Sequence, residues 1–200
     1  TEAEMKIVYQ NALVQKYSKG EIIFKQGTKA FGLSCLFSGK VKVYKVGVGV
    51  REQIVCMVRP QGLLGYRAIF AENIHTASAS AIEPSEICFI DKDTVMKLIR
   101  SNYEFSLALL KAMSEGMGFS EERTVVLTQK HLRGRLADSL LFLKHTYGLE
   151  SDGQTLKVRM SRDDLASLSN MSTANAIRTL STFSEEGIVS LKAKIVRLLD

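Results

Sequence analysis

Residues 161–181 read SRDDLASLSNMSTANAIRTLS, and their spacing describes two short helices joined by a tight turn. Ser161 followed three residues later by Asp164 has the form of a capping box. It predicts a helix that starts there and buries Leu165, Ala166 and Leu168. Asn170 falls where the chain must turn sharply, and Asn tolerates the left-handed backbone better than any residue but Gly. Ser172 is placed to cap a second helix, in which Ala176, Leu180 and Phe183 recur at intervals of four and three and share one buried face. The opposite face carries Thr173, Ala174, Ile177, Arg178 and Ser181. A helix that only fills a core has no use for such an exposed mixture. A helix lying in a DNA major groove does, because Arg reads guanine bidentately and the methyls of Ala, Thr or Ile meet those of thymine.

On the C-terminal side, Glu185, Glu186 and Gly187 end the helix with Gly187 as its cap, and IVSL (188–191) and KIVRLL (194–199) read as short strands around a basic tip at Lys192 and Lys194. A helix-turn-helix followed by such a hairpin is a winged helix. An antiparallel helix pair in an all-α core has the same apolar spacing, and the hairpin counts against it. On the N-terminal side, TLKVRM (155–160) reads as a strand leading in, and LRGRLADSLLFLKHTYG (132–148) as an amphipathic helix closed by Gly148.

Glu104 to about Gln129 reads as one long helix. Leu110, Met113, Met117, Ser120, Thr124 and Leu127 step along it by three and four alternately, the pattern of a coiled-coil seam, which predicts a parallel dimer. The same stripe could instead pack on the preceding domain, and the two arrangements are compatible. Gly116 and Gly118 each cost about 1 kcal/mol of helix propensity, so the middle should be soft. Before this helix, TVMKLIRSN (94–102) is a short one.

Periodicity changes again upstream. Eight of the 14 glycines lie in the first 65 residues, between the strand-like runs EIIFKQG, LSCLFSG, KVKVYKVGV and EQIVCMV, and TASASAIEPSEICFID extends the pattern to Asp91. Short strands with Gly turns predict a small antiparallel roll. Residues 1–17 read as a lead-in amphipathic helix with Ile7, Val8 and Leu13 apolar.

Two hundred residues suffice for two compact domains. The expected division is 1–128, a roll with a dimerisation helix at about 103–129, and 129–200, a DNA-binding domain. The net charge of +6 is spread evenly, with 11 basic and 8 acidic residues from Gln129 onward, so function must rest on placement and not on total charge. Cys35, Cys56 and Cys88 are widely spaced within apolar runs and read as buried thiols of a cytoplasmic protein. No CxxC pair supports a zinc ribbon or iron–sulfur cluster, and no run is long enough to span a membrane. Walker, GxSxG and HExxH motifs are absent, which places an enzyme last among the readings. The chain begins at Thr1, not Met, which leaves room for residues before it.

Taken in order, GEIIFKQG (20–27), FSGKVKVY (37–44), GYRAIF (65–70), HTA (75–77), GRLA (134–137) and the segment 161–180 resemble the CRP/FNR family of bacterial transcription regulators over essentially the whole chain. The resemblance implies an α+β fold: an N-terminal antiparallel β-roll of the cyclic-nucleotide-binding jelly-roll kind, a long dimerisation helix, and a C-terminal winged helix-turn-helix. It implies a homodimer on an inverted-repeat operator, with DNA, a second copy and RNA polymerase as partners and no membrane. The alternative is a ligand-sensing module acting through protein contacts, as regulatory subunits with related rolls do.

In nucleotide-binding members of the family, the segment matching 65–77 carries a Gly and a Glu, then Arg-Ser-Ala or Arg-Thr-Ala. The guanidinium grips the phosphate and the carboxylate holds the ribose. This chain keeps Gly65, Thr76 and Ala77, but has Tyr66 in the Glu position and His75 in the Arg position. Tyr cannot replace a carboxylate acceptor and His is a weak phosphate clamp, so the effector is expected not to be cyclic AMP and its identity is open. Matching back from GRLA brings Ser120 to the effector. Ser120 and Thr124 are thus either pocket residues or polar register-setters of the seam. His75 alone makes a poor haem or metal site, and no cofactor is expected. For DNA, Arg178 is the expected base reader, with Thr173, Ala174 and Ile177 in the groove. Arg162, Ser172, Asn175, Lys192 and Lys194 are the expected phosphate contacts. Thr173 and Ala174 stand where relatives often carry Arg and Glu, which implies an operator richer in A·T pairs.

Overall fold

The computed structural model describes residues 12–71 and 73–199. It falls into two compact units: residues up to Val46 together with Val55–Ser120, and Gly47–Ile54 together with residues from Glu121 on. The expected helix over 1–17 does not form at its C-terminal end, because Ala12–Tyr17 is strand β1, paired antiparallel with Ser85–Asp91. The rest of that expectation lies outside the described residues.

The first unit is the roll. Its strands are β1 (Ala12–Tyr17), β2 (Ile22–Phe24), β3 (Gly32–Ser38), β4 (Val41–Val46), β5 (Glu52–Val58, whose first three residues fall in the second unit), β6 (Leu63–Leu64), β7 (Ser78–Ala81) and β8 (Ser85–Asp91). They form two four-stranded sheets, ordered β1-β8-β3-β6 and β2-β7-β4-β5. Side chains alternate across a strand, so Leu36 and Ile87 point into the roll, where they meet Val41, Val58, Leu64 and Ala79. Leu33 and Ile90, three residues away on the same strands, point outward. They are covered by Ile69 of α1 (Tyr66–Phe70) and Val95 of α2 (Lys92–Ser101). Asp91 caps α2 by accepting from the Thr94 backbone N–H at 2.9 Å.

Helix α3 runs unbroken from Tyr103 to Gln129. Leu109 is buried on one of its faces, while Leu110 and Met117 of the expected seam are 61% and 62% exposed in the single chain. Gly116 is explained by contact and not by softness. A Cβ there would lie 3.0 Å from Tyr66 Oη and 3.4 Å from Arg67 Nη2, whereas one at Gly118 would meet nothing within 4 Å.

The second unit begins two turns before the end of α3. Its helices are that segment, α4 (Leu132–Tyr147), α5 (Arg162–Leu168) and α6 (Thr173–Glu185), followed by the hairpin β9 (Val189–Lys192) and β10 (Ile195–Leu198). Arg123, near the end of α3, is buried and donates to the Leu168 carbonyl at the end of α5, which ties this part of α3 to the second unit. Arg135 of α4 donates to the Asn170 carbonyl at 3.0 Å, and Ser169 Oγ donates to Ser139 Oγ at 2.9 Å. The orphan carbonyls at the end of α5 are thereby satisfied from two other helices. The expected strand at 155–160 is not one: Thr155 and Leu156 make only isolated bridges, to Arg197 and Leu149. No helix among the described residues is long and apolar enough to cross a membrane.

Candidate functional site

Local chemistry sets the geometry of the 161–187 segment. Ser161 Oγ accepts from the Asp164 N–H at 3.0 Å and donates to the Asp164 carboxylate at 2.6 Å, which starts α5. Asn170 takes the left-handed turn at φ 50°. Ser172 Oγ accepts from the Asn175 N–H at 3.2 Å and starts α6. Gly187, at φ 74°, ends it: Gly187 N–H donates to Ser184 O at 3.1 Å and Ile188 N–H to Phe183 O at 2.9 Å, the paired bonds of a Schellman motif. Arg133 holds this end with both guanidinium nitrogens on the Glu186 carboxylate and its charge 4.7 Å over the Phe183 ring. The pairing keeps the Glu186 carboxyl below its ordinary value and raises Arg133.

With Ala176, Leu180 and Phe183 buried, the outward face of α6 consists of Ala174, Ile177, Arg178 and Ser181. Ile177 is 47% exposed, a large apolar side chain left in water. Thr173 is half-buried, and its hydroxyl donates to Asp163 at 2.7 Å. Ser172, Lys192 and Lys194 are exposed and Asn175 is half-buried. Arg162, an expected phosphate contact, is half-buried, and its Nη1 is enclosed with no hydrogen-bond partner among the described residues.

The roll encloses a cavity of about 280 Å³. Gly65, Tyr66, His75, Thr76 and Ser120 line it, and Thr124 does not. His75 is buried and stacked on Phe24, with ring centroids 3.9 Å apart and planes 10° apart. Burial pushes its pKa below the ordinary value, which favours the uncharged form of the ring. Gly65, at φ 75°, caps α1 and lets the backbone pass the imidazole, since a Cβ there would sit 3.2 Å from His75 Cε1. Tyr66 packs against the Leu33, Ile69, Ile90 and Val95 cluster, and its hydroxyl reaches Gly116. It joins α1 to α3. The sequence reading missed Phe24, Lys45, Cys56, Arg67 and Phe119, which also line the cavity. The cations among the lining residues are Lys45 and Arg67, and Arg67 Nη2 is 3.5 Å from Gly116 O. Nothing in the local pattern around Lys45 or Phe24 marked them, because both arrive from strands distant in sequence.

Residues 14–102 match the cyclic nucleotide-binding domain and residues 134–200 the Crp-like helix-turn-helix domain. Similar proteins include the CRP-like cAMP-activated global transcriptional regulator of Mycobacterium tuberculosis, 25% identical over 92% of this chain and 83% of that protein. They also include the transcriptional activator protein anr of Pseudomonas aeruginosa, 24% identical over 91% of this chain and 75% of that protein. The chain belongs to the CRP/FNR family of transcription regulators. The fold of this CRP/FNR regulator is that of FixK2 from Bradyrhizobium japonicum, with a TM-score of 0.84 at 22% identity over 94% of this chain and 93% of that one. It is shared by the c-di-GMP responsive global regulator CLP of Xanthomonas campestris, with a TM-score of 0.84 at 19% identity over the whole of both chains.

Proposed function

We propose that this CRP/FNR chain is a homodimeric, sequence-specific transcription regulator whose effector is not cyclic AMP. The observation that carries the DNA half is the outward face of α6, where Ala174, Ile177 and Arg178 are exposed on a helix locked at both ends by caps. In this reading Arg178 reads a base, Thr173, Ala174 and Ile177 meet groove methyls, and Ser172, Asn175, Lys192 and Lys194 bind phosphates with Arg162 in a lesser part. The exposed stripe through Leu110 and Met117 supports a parallel seam between two copies, with Thr124 on it and not in the cavity. Two recognition helices about 34 Å apart then require an inverted-repeat operator. Residues 1–128 sense and 129–200 bind DNA, with RNA polymerase as the downstream partner and the cytoplasm as the place of action.

On the effector side, the cavity presents a neutral His75 and a packed Tyr66 where a phosphate clamp and a ribose acceptor would be needed. The cavity and its two cations, Lys45 and Arg67, remain open to another compact anion. Titration calorimetry of the full chain against cyclic AMP, cyclic di-GMP and haem, alongside footprinting on genomic fragments, tests both halves. The expected result is an inverted-repeat footprint with no cyclic AMP heat at micromolar concentrations. Micromolar cyclic AMP binding overturns the effector reading, and binding to DNA without any preferred site overturns the DNA reading.

A further inference from the structure

Two of the three cysteines face each other. Cys35 of β3 and Cys88 of β8 are direct partners in the antiparallel register, and both thiols are free and half-buried. They lie on the outer face of the sheet, the side opposite Leu36 and Ile87. Cys88 packs at the edge of the Leu33 cluster, and Val14, its partner on β1, is 57% exposed. The row is thus open to small reagents from the β1 side. Directly opposed residues in an antiparallel pair have Cα atoms about 4.5–5.5 Å apart, inside the window of about 4.4–6.8 Å that a disulfide requires. Cys56 belongs to the other sheet, lines the cavity and donates its thiol to the Met57 carbonyl.

We infer that Cys35 and Cys88 form a cross-strand dithiol, a modification site that closes to an intramolecular disulfide by exchange with low-molecular-weight disulfides. The step balances without a further oxidant. The thiolate of one cysteine attacks RSSR, forming a protein–SR mixed disulfide and releasing RS⁻. The second cysteine then attacks the protein sulfur of that bond and expels the other RS⁻. Two thiol protons go to the two leaving thiolates, the protein loses two electrons, and RSSR becomes two RSH. Burial raises both thiols, and the charge of Cys88 raises Cys35 further, so the pair holds one thiolate beside one thiol before it would hold two thiolates. Exchange is therefore slow at neutral pH and accelerates with the thiolate fraction, roughly tenfold per pH unit. Closure is felt one strand from the cavity, because Cys35 is paired on its other side with the lining residue Leu63.

The test treats the full chain with 2-hydroxyethyl disulfide, then combines thiol titration, intact mass and non-reducing peptide mapping. The expected product has lost two hydrogens and two of its three titratable thiols, and carries one Cys35–Cys88 cross-linked peptide with Cys56 free. C56S closes in the same way, whereas C35S stops at a mixed disulfide on Cys88. Separate mixed disulfides at Cys35 and Cys88 in the unmutated chain, a cross-link through Cys56, or both thiols persisting at pH 9 under excess disulfide would each overturn the inference. The peptide map of the unmutated chain decides even if a variant fails to fold.

Discussion

The helix-turn-helix and the cavity are built on opposite principles. In the segment 161–187, each structural residue acts within a few positions of itself: Ser161 on Asp164, Ser172 on Asn175, Asn170 on its own backbone, Gly187 on Ser184. The cavity is assembled by long-range convergence, with Phe24 from β2, Lys45 from β4, Cys56 from β5, Arg67 from α1 and Phe119 from α3. A site of the first kind is encoded by spacing. One of the second kind is encoded by the register of a whole roll, which no short window of sequence contains.

The largest effect should come from removing an anchor of the locally coded region. Leu180→Ala empties a fully enclosed position and is expected to cost about 2–5 kcal/mol in denaturant unfolding. A loss well below that range would mean that the α5–α6 pair does not depend on its periodic face, and the contrast with the cavity would weaken.

Smaller effects separate the two glycines of α3. Gly118→Ala should raise stability by about 1 kcal/mol, the propensity gain at an open helical site. Gly116→Ala should return clearly less, since its methyl meets Tyr66 and Arg67. Equal gains in paired thermal melts would show that Tyr66 is not held against α3 and would reopen its assignment as a packing residue.

The smallest effect is electrostatic. His75 has a depressed pKa in the folded state, so between that value and the unfolded value of about 6.5 the unfolded chain binds more protons. Its contribution to stability is complete above about pH 6.5 and is lost as the pH falls toward the folded pKa. His75→Phe keeps a ring against Phe24 and should flatten the stability–pH curve just below about pH 6.5. An unchanged slope would place the titration elsewhere.

The order of elements was legible from the sequence because glycine-bounded β runs, a seam repeat and paired caps each carry their own period. Two misreadings and one omission share a cause. Residues 12–17 are apolar enough for either period, and pairing with β8 decides for strand. TLKVRM has strand composition, yet only Thr155 and Leu156 find bridging partners. The structural role of Arg123 was invisible because its acceptor, Leu168 O, lies 45 residues away. At the cavity, Tyr66 and His75 were legible as departures from a phosphate-binding pattern, while what replaces that pattern, a stacked neutral imidazole beside Lys45 and Arg67, required the fold.

Whether the exposed face of α6 reads sequence is decided at Arg178. The Arg178→Ala variant and the unmutated chain should be titrated, at one fixed salt concentration, against the footprinted operator, single-base variants of it and unrelated DNA. Discrimination is expected to fall by about 1–3 kcal/mol at one base pair per half-site, with affinity for unrelated DNA little changed. An equal loss of affinity on every DNA, with discrimination intact, would contradict that expectation by making Arg178 a phosphate contact.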